Sequence, residues 1–165
     1  MQVTIREFKS SDELFIVKST EELQDYLVIV DQMKFTRIMP EYGESSAKKL
    51  LEDVSRNNGI VYVAEDQGQN VGFVAGIIYE WSPEILLECI PLKSGRILEL
   101  FVESKHRRQN IGTVLMERME EYFRQNGCDV SRVEVFQPNT EAHNFYENLG
   151  YQDRMIDMIK KLKQP

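Results

Sequence analysis

The chain has 165 residues, 42% of them hydrophobic and 28% charged, a composition and length that suit one globular domain over residues 1–165. Its two cysteines, Cys89 and Cys128, are far apart, lack a Cys-x-x-Cys spacing and have only His106 and His143 as imidazole partners, which argues against a disulfide framework or a zinc site. A formal net charge of −7 argues against nucleic acid or an anionic membrane as the partner, since both ask for a basic face, and suits a cationic one.

No stretch approaches the roughly 18 consecutive apolar residues that span a bilayer, and Met1–Arg6 lacks the basic-then-apolar pattern of a signal peptide, so the expected location is cytoplasmic. Val3 to Phe8 alternates apolar and polar as an opening strand, and Ser10-Ser11-Asp12 supplies turn and cap chemistry before a long helical region. Ser11 to Met39 is too long for one helix and predicts two helical segments ending before Pro40, because the residue preceding a proline is pushed away from helical geometry. Ser45 and Ser46 are candidate caps of a further helix reaching Val54, broken by Asn57-Asn58-Gly59.

Two β-rich runs, Ile60 to Glu65 and Asn70 to Trp81, flank Asp66-Gln67-Gly68-Gln69 and predict a hairpin. Ser82 to Gly95 is a long connection around the apolar patch Ile85-Leu86-Leu87. Arg96 to Val102 is a further strand; Ile111, Leu115, Met119 and Tyr122 then recur at helical spacing up to Asn126-Gly127. Arg132 to Phe136 predicts a strand, Asn139 to Leu149 a helix, and Tyr151 to Leu162 a terminal strand or strand pair. The order β-α-α-β-β-β-α-β-α-β implies a mixed α/β fold with a largely antiparallel sheet flanked by helices and at least one parallel crossover.

The strand Ile97–Val102 runs through Glu103-Ser104-Lys105-His106 into Arg107-Arg108-Gln109-Asn110-Ile111-Gly112-Thr113, which opens a helix. The first turn of a helix has N–H groups without intrahelical partners, and the helix dipole adds about half a positive charge there, so this junction is a candidate anion site. Gly112 permits close approach, Asn110 tolerates left-handed backbone angles, Thr113 carries a hydroxyl, and Lys105, Arg107 and Arg108 add positive potential. It is neither a Walker loop nor a dinucleotide fingerprint, since the required Gly-Lys-Ser/Thr and three-glycine patterns are absent.

The stretch Arg107 to Gly112 resembles the Arg/Gln-x-x-Gly-x-Gly/Ala acetyl-CoA motif of the GNAT N-acetyltransferase superfamily, with Asn110 where the first motif glycine stands. Asn139 to Tyr151 resembles that superfamily's second hallmark, Asn-x-x-Ala-x-x-Phe-Tyr-x-x-Leu-Gly-Phe/Tyr. The resemblance implies a GNAT-like fold and acetyl-CoA as cosubstrate. It implies that the backbone of Leu100, Phe101 and Val102 pairs with the pantetheine arm, that the amides of Arg107, Arg108, Gln109, Asn110, Ile111, Gly112 and Thr113 hold the pyrophosphate, and that Asn139 touches the cosubstrate.

Acetyl transfer to a primary amine needs a base, an oxyanion donor and a proton for the leaving thiolate. Glu134 and Glu99, each between apolar strand neighbours, are the candidate bases, acting directly or through water. Alternation by itself would send either to a solvated sheet face. Some members of the superfamily that acetylate protein N-termini place a glutamate five residues before the motif asparagine, as Glu134 stands before Asn139, which puts Glu134 first and Glu99 second. Tyr146, two helical turns after Asn139, is the candidate general acid, and a backbone N–H near Phe101 or Val102 the oxyanion donor if the strand bulges there.

The acceptor walls are expected in Asp25 to Glu44 and Ser82 to Gly95, whose acids, Asp31, Glu41, Glu44, Glu84 and Glu88 among them, suit an amine-bearing, cationic acceptor. The apolar patch and the terminal strand are candidate surfaces for a homodimer. A non-catalytic acyl-CoA-binding or sensing module on the same fold is the alternative function.

Overall fold

A computed structural model describes residues 3–162. Strand β1 (Val3–Glu7) is followed by a 3-10 turn at Ser10–Asp12, helices α1 (Glu13–Val30) and α2 (Tyr42–Arg56), and strands β2 (Ile60–Asp66), β3 (Gln69–Tyr79) and β4 (Ser94–Val102). Helix α3 (Ile111–Gln125), strand β5 (Val130–Val133) and helix α4 (Thr140–Asn148) complete the order. The strands lie in sequence order in one five-stranded sheet, antiparallel from β1 to β4, with β5 parallel to β4 across the α3 crossover. The mixed α/β fold expected from the sequence is therefore observed.

Alternation along the strands splits the core into two layers. Val61 and Val63 of β2 join Phe73, Ala75 and Phe101 beneath Ile16 of α1 and Ala47 and Leu50 of α2. Their neighbours Tyr62 and Ala64 join Val74, Ile97, Leu115, Met119, Phe123 and Tyr146 on the α3 and α4 side. The β2–β3 hairpin turns through Gln67 and Gly68, both with positive φ (50° and 81°), between the paired residues Asp66 and Gln69, as a two-residue turn with right-handed strand twist requires.

Several expectations need correction. The region up to Met39 holds one helix, not two, because the buried Asp31 ends α1 and its carboxylate accepts the backbone N–H groups of Met33 (2.9 Å), Phe35 (2.6 Å) and Thr36 (2.8 Å). That side chain gives the irregular chain the partners a helix would otherwise supply. The Asp31 carboxyl is held down at about 2, first by the Thr36 N–H, so this acid serves the loop, not an acceptor. Helix α2 begins at Tyr42, which places Ser45 and Ser46 inside it and not at its cap.

The strand expected at Arg132 to Phe136 is β5, displaced to Val130–Val133, since pairing with β4 ends at Ile97 opposite Val133. The terminal strand expected from Tyr151 to Leu162 is absent: residues 152–162 make no backbone hydrogen bond among the described residues, and a strand without a neighbour has nothing to hold it. No helix among the described residues is long and apolar enough to cross a membrane.

Candidate active site

Strand β4 pairs with β3 along its length, but with β5 only from Ser94 to Ile97. Opposite β3 the register passes from Ala75–Glu99 to Gly76–Ile97, so Leu98 is an extra residue, a β-bulge where β4 and β5 part. Beyond it, Leu98 to Val102 present an edge with no strand beside it. A backbone edge of this kind accepts an extended ligand as a strand accepts its neighbour. The Val102 carbonyl is already used, accepting the Arg107 Nε–H at 3.0 Å, and the backbone groups of Phe101 face Phe73 of β3, which leaves Leu100 as the freest of the three expected backbone partners.

At the end of β4, Ser104–His106 form a 3-10 turn and Arg108 and Asn110 take positive φ, 58° and 66°. Left-handed residues interspersed in such a loop turn successive N–H groups toward one point, the geometry of an anion-binding nest. Asn110 does take the conformation its place at the motif glycine demands, and no side chain caps α3, so the amides of Ile111, Gly112 and Thr113 are left for a ligand. Gln109 Nε2 donates to the Lys105 carbonyl at 3.1 Å and, with Arg107, staples the loop.

The loop's positive potential is smaller than its three basic residues suggest. Lys105 Nζ and His106 Nδ1 each lie 3.2 Å from Glu103 Oε2, and the largely exposed Arg108 is 3.9 Å from Glu141 at the start of α4. Backbone N–H groups, more than side chains, are what this loop offers to an anion. A Cβ added at Gly112 would lie 3.3 Å from the Phe145 ring, so that glycine also admits close packing of α4 on α3. Asn139 spends its Oδ1 as the α4 cap, accepting the Ala142 N–H at 3.2 Å.

The two candidate bases separate sharply. Glu134 follows the end of β5; its side chain is 82% exposed and its Oε1 accepts from Arg96 Nη2 at 2.7 Å. Glu99 is half-buried, has no ion-pair partner among the described residues, and burial pushes its carboxyl up to about 7. Tyr146 is 8% exposed, edge-on to Phe145 and Tyr151 with centroids 5.3 and 5.7 Å away. Its hydroxyl makes no hydrogen bond among the described residues but keeps some access to solvent, where a tyrosine hydroxyl ordinarily finds its partner. Burial, and then the Glu99 charge, push its pKa well above that of an ordinary phenol, so Tyr146 stays protonated and its ionisation is linked to Glu99.

Sequence reasoning gave no role to Tyr151, whose hydroxyl is 2.6 Å from Ser131 Oγ and donates to Glu120 Oε1 at 3.0 Å, tying α4 to β5 and α3 behind Tyr146. It also passed over Trp81, whose Nε1–H donates to Ser94 Oγ at 3.1 Å and whose ring lies beneath the Arg132 guanidinium at 5.2 Å. Tyr151 stood in the second motif, next to its glycine; Trp81 had no signal.

Comparison with known proteins places this site in context. The profile of the acetyltransferase (GNAT) family matches residues 21–151. The chain is 33% identical over 96 residues to an uncharacterised N-acetyltransferase of Methanocaldococcus jannaschii, covering 58% of this chain and 54% of that protein. It is 26% identical over 134 residues to an N-alpha-acetyltransferase of Sulfurisphaera tokodaii, covering 78% and 74%. The chain spans 54%, 43% and 60% of the length of three archaeal relatives, about half. Among solved structures, a Bacillus halodurans protein superposes with a TM-score of 0.85 over 97% of this chain and 99% of its own at 19% identity. A predicted acetyltransferase of Clostridium acetobutylicum, solved with acetyl-CoA, gives 0.73 over 98% and 97% at 14% identity. The parted strands, the uncapped helix N-terminus and the buried tyrosine thus sit in a chain that belongs to the acetyltransferase (GNAT) family.

Proposed function

We propose that this protein transfers an acetyl group from acetyl-CoA to an amine by direct attack, with Glu99 taking the amine proton and Tyr146 returning one to the leaving thiolate. The observation that carries this reading is the pairing of a half-buried carboxyl raised to about 7 with the Tyr146 phenol, whose hydroxyl has no hydrogen-bond partner among the described residues, at the point where β4 and β5 part. The residues fit the cosubstrate: the free edge at Leu100 would hold its arm and the amides from Arg108 to Thr113 its pyrophosphate, with Arg107 acting through the loop. Acetyl-CoA supplies the activated thioester; the chain's own residues hold it and move protons.

The two groups assist each other. While Glu99 is ionised its charge opposes loss of the phenolic proton. Once Glu99 has accepted the amine proton that charge is gone, and Tyr146 becomes the better acid at the moment the thiolate needs one. Glu134, exposed and neutralised by Arg96, is better suited to the acceptor rim than to proton transfer. A base near 7 suits an α-amine, whose unperturbed pKa is about 7.7–8.0, better than a lysine amine at about 10.4. The relative named N-alpha-acetyltransferase makes a peptide N-terminus the first acceptor to test.

Tyr146→Phe is expected to keep acetyl-CoA affinity while lowering thiol release by at least about tenfold, the usual size of a general acid contribution. Unchanged turnover would remove Tyr146 from the chemistry. Acetyl-CoA binding by calorimetry with no thiol release across peptide, polyamine and small-amine acceptors would favour the non-catalytic module instead.

A further inference from the structure

The sheet face that carries Glu99 also carries arginines that proton transfer leaves unused. Glu99 and Arg96 of β4 stand opposite Ala75 and Ile77, alternate residues of β3, so both project to the α1 and α2 side. Arg96 Nη2 donates across to Glu134 Oε1 at 2.7 Å, which sets Glu134 on that side too. Arg132, two residues earlier in the chain and opposite Arg96, shares the face. Helices α1 and α2 pack over β2, β3 and β4, and these side chains line the part of the face next to β5.

Arg132 is held in place without being neutralised. Its guanidinium lies over the Trp81 ring at 5.2 Å, and Trp81 is itself fixed by donating its Nε1–H to the hydroxyl of the buried Ser94 at 3.1 Å. The Arg154 guanidinium lies over the same ring at 5.8 Å. Among the described residues neither arginine makes an ion pair or a side-chain hydrogen bond, and the carboxylate nearest to Arg132 along the strand, Glu134, is spent on Arg96. Stacking on an indole fixes the plane of a guanidinium and leaves its N–H edge outward, the arrangement that receives a carboxylate through two parallel bonds. In a chain with 27 acidic and 20 basic residues, two unpaired cations on one ring make a local potential opposite in sign to that of the whole molecule. From Glu99 to this pair is three strand residues along β4, about 10 Å at about 3.3 Å each. An extended peptide whose terminal amine reaches Glu99 and whose chain runs toward Arg132 brings its second to fourth side chains to the two guanidiniums.

We propose that Arg132 and Arg154 form an anion subsite of the acceptor site and select peptide N-termini that carry an aspartate or glutamate among their second to fourth residues. The choice of a peptide rests on the acetyl-transfer reading. The net charge of −7 acts on approach, and at contact the two cations decide. Trp81 is the chain's one tryptophan, so its fluorescence reads occupancy of the subsite with coenzyme A present and no transfer taking place. The peptide Ser-Glu-Glu-Ala should bind about tenfold more tightly than Ser-Gln-Gln-Ala at about 50 mM salt, with the difference narrowing at about 500 mM. Thiol release from acetyl-CoA should show the same preference in kcat/KM. Arg132→Gln should bring both ratios close to one and Arg132→Lys should keep part of them, thermal unfolding serving as the check that each variant folds. Arg154→Gln, at an exposed position, should weaken the preference by a smaller factor. Equal binding of the two peptides by the parent would overturn the subsite and leave acetyl transfer standing, as would a preference undiminished in folded Arg132→Gln. A salt-sensitive preference in fluorescence that Arg132→Gln abolishes, with thiol release from neither peptide, would support the subsite and remove the acetyl-transfer reading instead.

Discussion

A carboxyl whose folded pKa is raised makes opposite demands on activity and stability. Glu99 is competent as a base only when ionised, so the rate of acetyl transfer at saturating cosubstrate should rise with pH and level off above about 7. Glu99→Gln should lower the plateau by about a hundredfold and abolish that step in the profile, whereas Glu134→Gln should leave both in place. The sign for stability is reversed: the native state holds the Glu99 proton more tightly than the unfolded chain, so stability falls as pH rises from about 4.5 through 7. Glu99→Gln should therefore be more resistant to urea than the parent at pH 8, by on the order of 2 kcal/mol.

The loop into α3 depends on backbone conformation more than on side-chain charge. Asn110 holds φ 66°, a region that asparagine enters at modest cost and a β-branched residue does not. Asn110→Gly is expected to keep acetyl-CoA affinity, and Asn110→Val to weaken it about tenfold by calorimetry, the effect of roughly 1–2 kcal/mol of strain on the binding conformation. Equal affinity in the two variants would mean that the amides of this turn do not hold the ligand. The loop after α1 is organised on the opposite principle, around one carboxylate. Asp31 looked in the sequence like one of several surface acids, and only its three N–H partners reveal that it replaces a helix.

Besides the apolar layer under Ile16, one charged cluster ties the sheet to the turn before α1. Arg6 of β1 donates to Asp12 Oδ2 at 2.7 Å and to Glu65 Oε2 at 2.9 Å, while Asn70 Nδ2 reaches Asp12 Oδ1 at 3.0 Å, so β1, β2, β3 and the turn before α1 share one network. Hydrogen bonding to Arg6 holds the buried Asp12 carboxyl far below the usual range, outweighing burial, which acts in the opposite direction. Its stabilising contribution is complete above the unfolded pKa of about 4 and is lost as the pH falls below it. Asp12→Ala strands a half-buried guanidinium and should cost about 3 kcal/mol in urea unfolding at pH 7. The deficit should shrink on acidification, because the parent loses the same contribution there.

Local chemistry made much of this legible in advance. The hairpin at Gln67-Gly68, the helix stop at Asn126-Gly127 and the loop opening α3 rest on residues whose own backbone preferences fix the conformation, and the two motifs carry the family because they are contiguous. Contacts between distant segments decided the rest. Glu99 and Glu134 have near-identical sequence surroundings; one is half-buried with a raised pKa because it lies at the bulge near Tyr146, and the other an exposed acid paired with Arg96 because β5 stops one residue before it. The terminal segment has the residues of a strand and is none, for a strand is a pairing and not a property of its own sequence. Charge, turns and motifs are short-range and can be read along the chain; burial and pairing are set by what the fold brings alongside, and they determine which carboxylate is shielded from water and which segment becomes a strand.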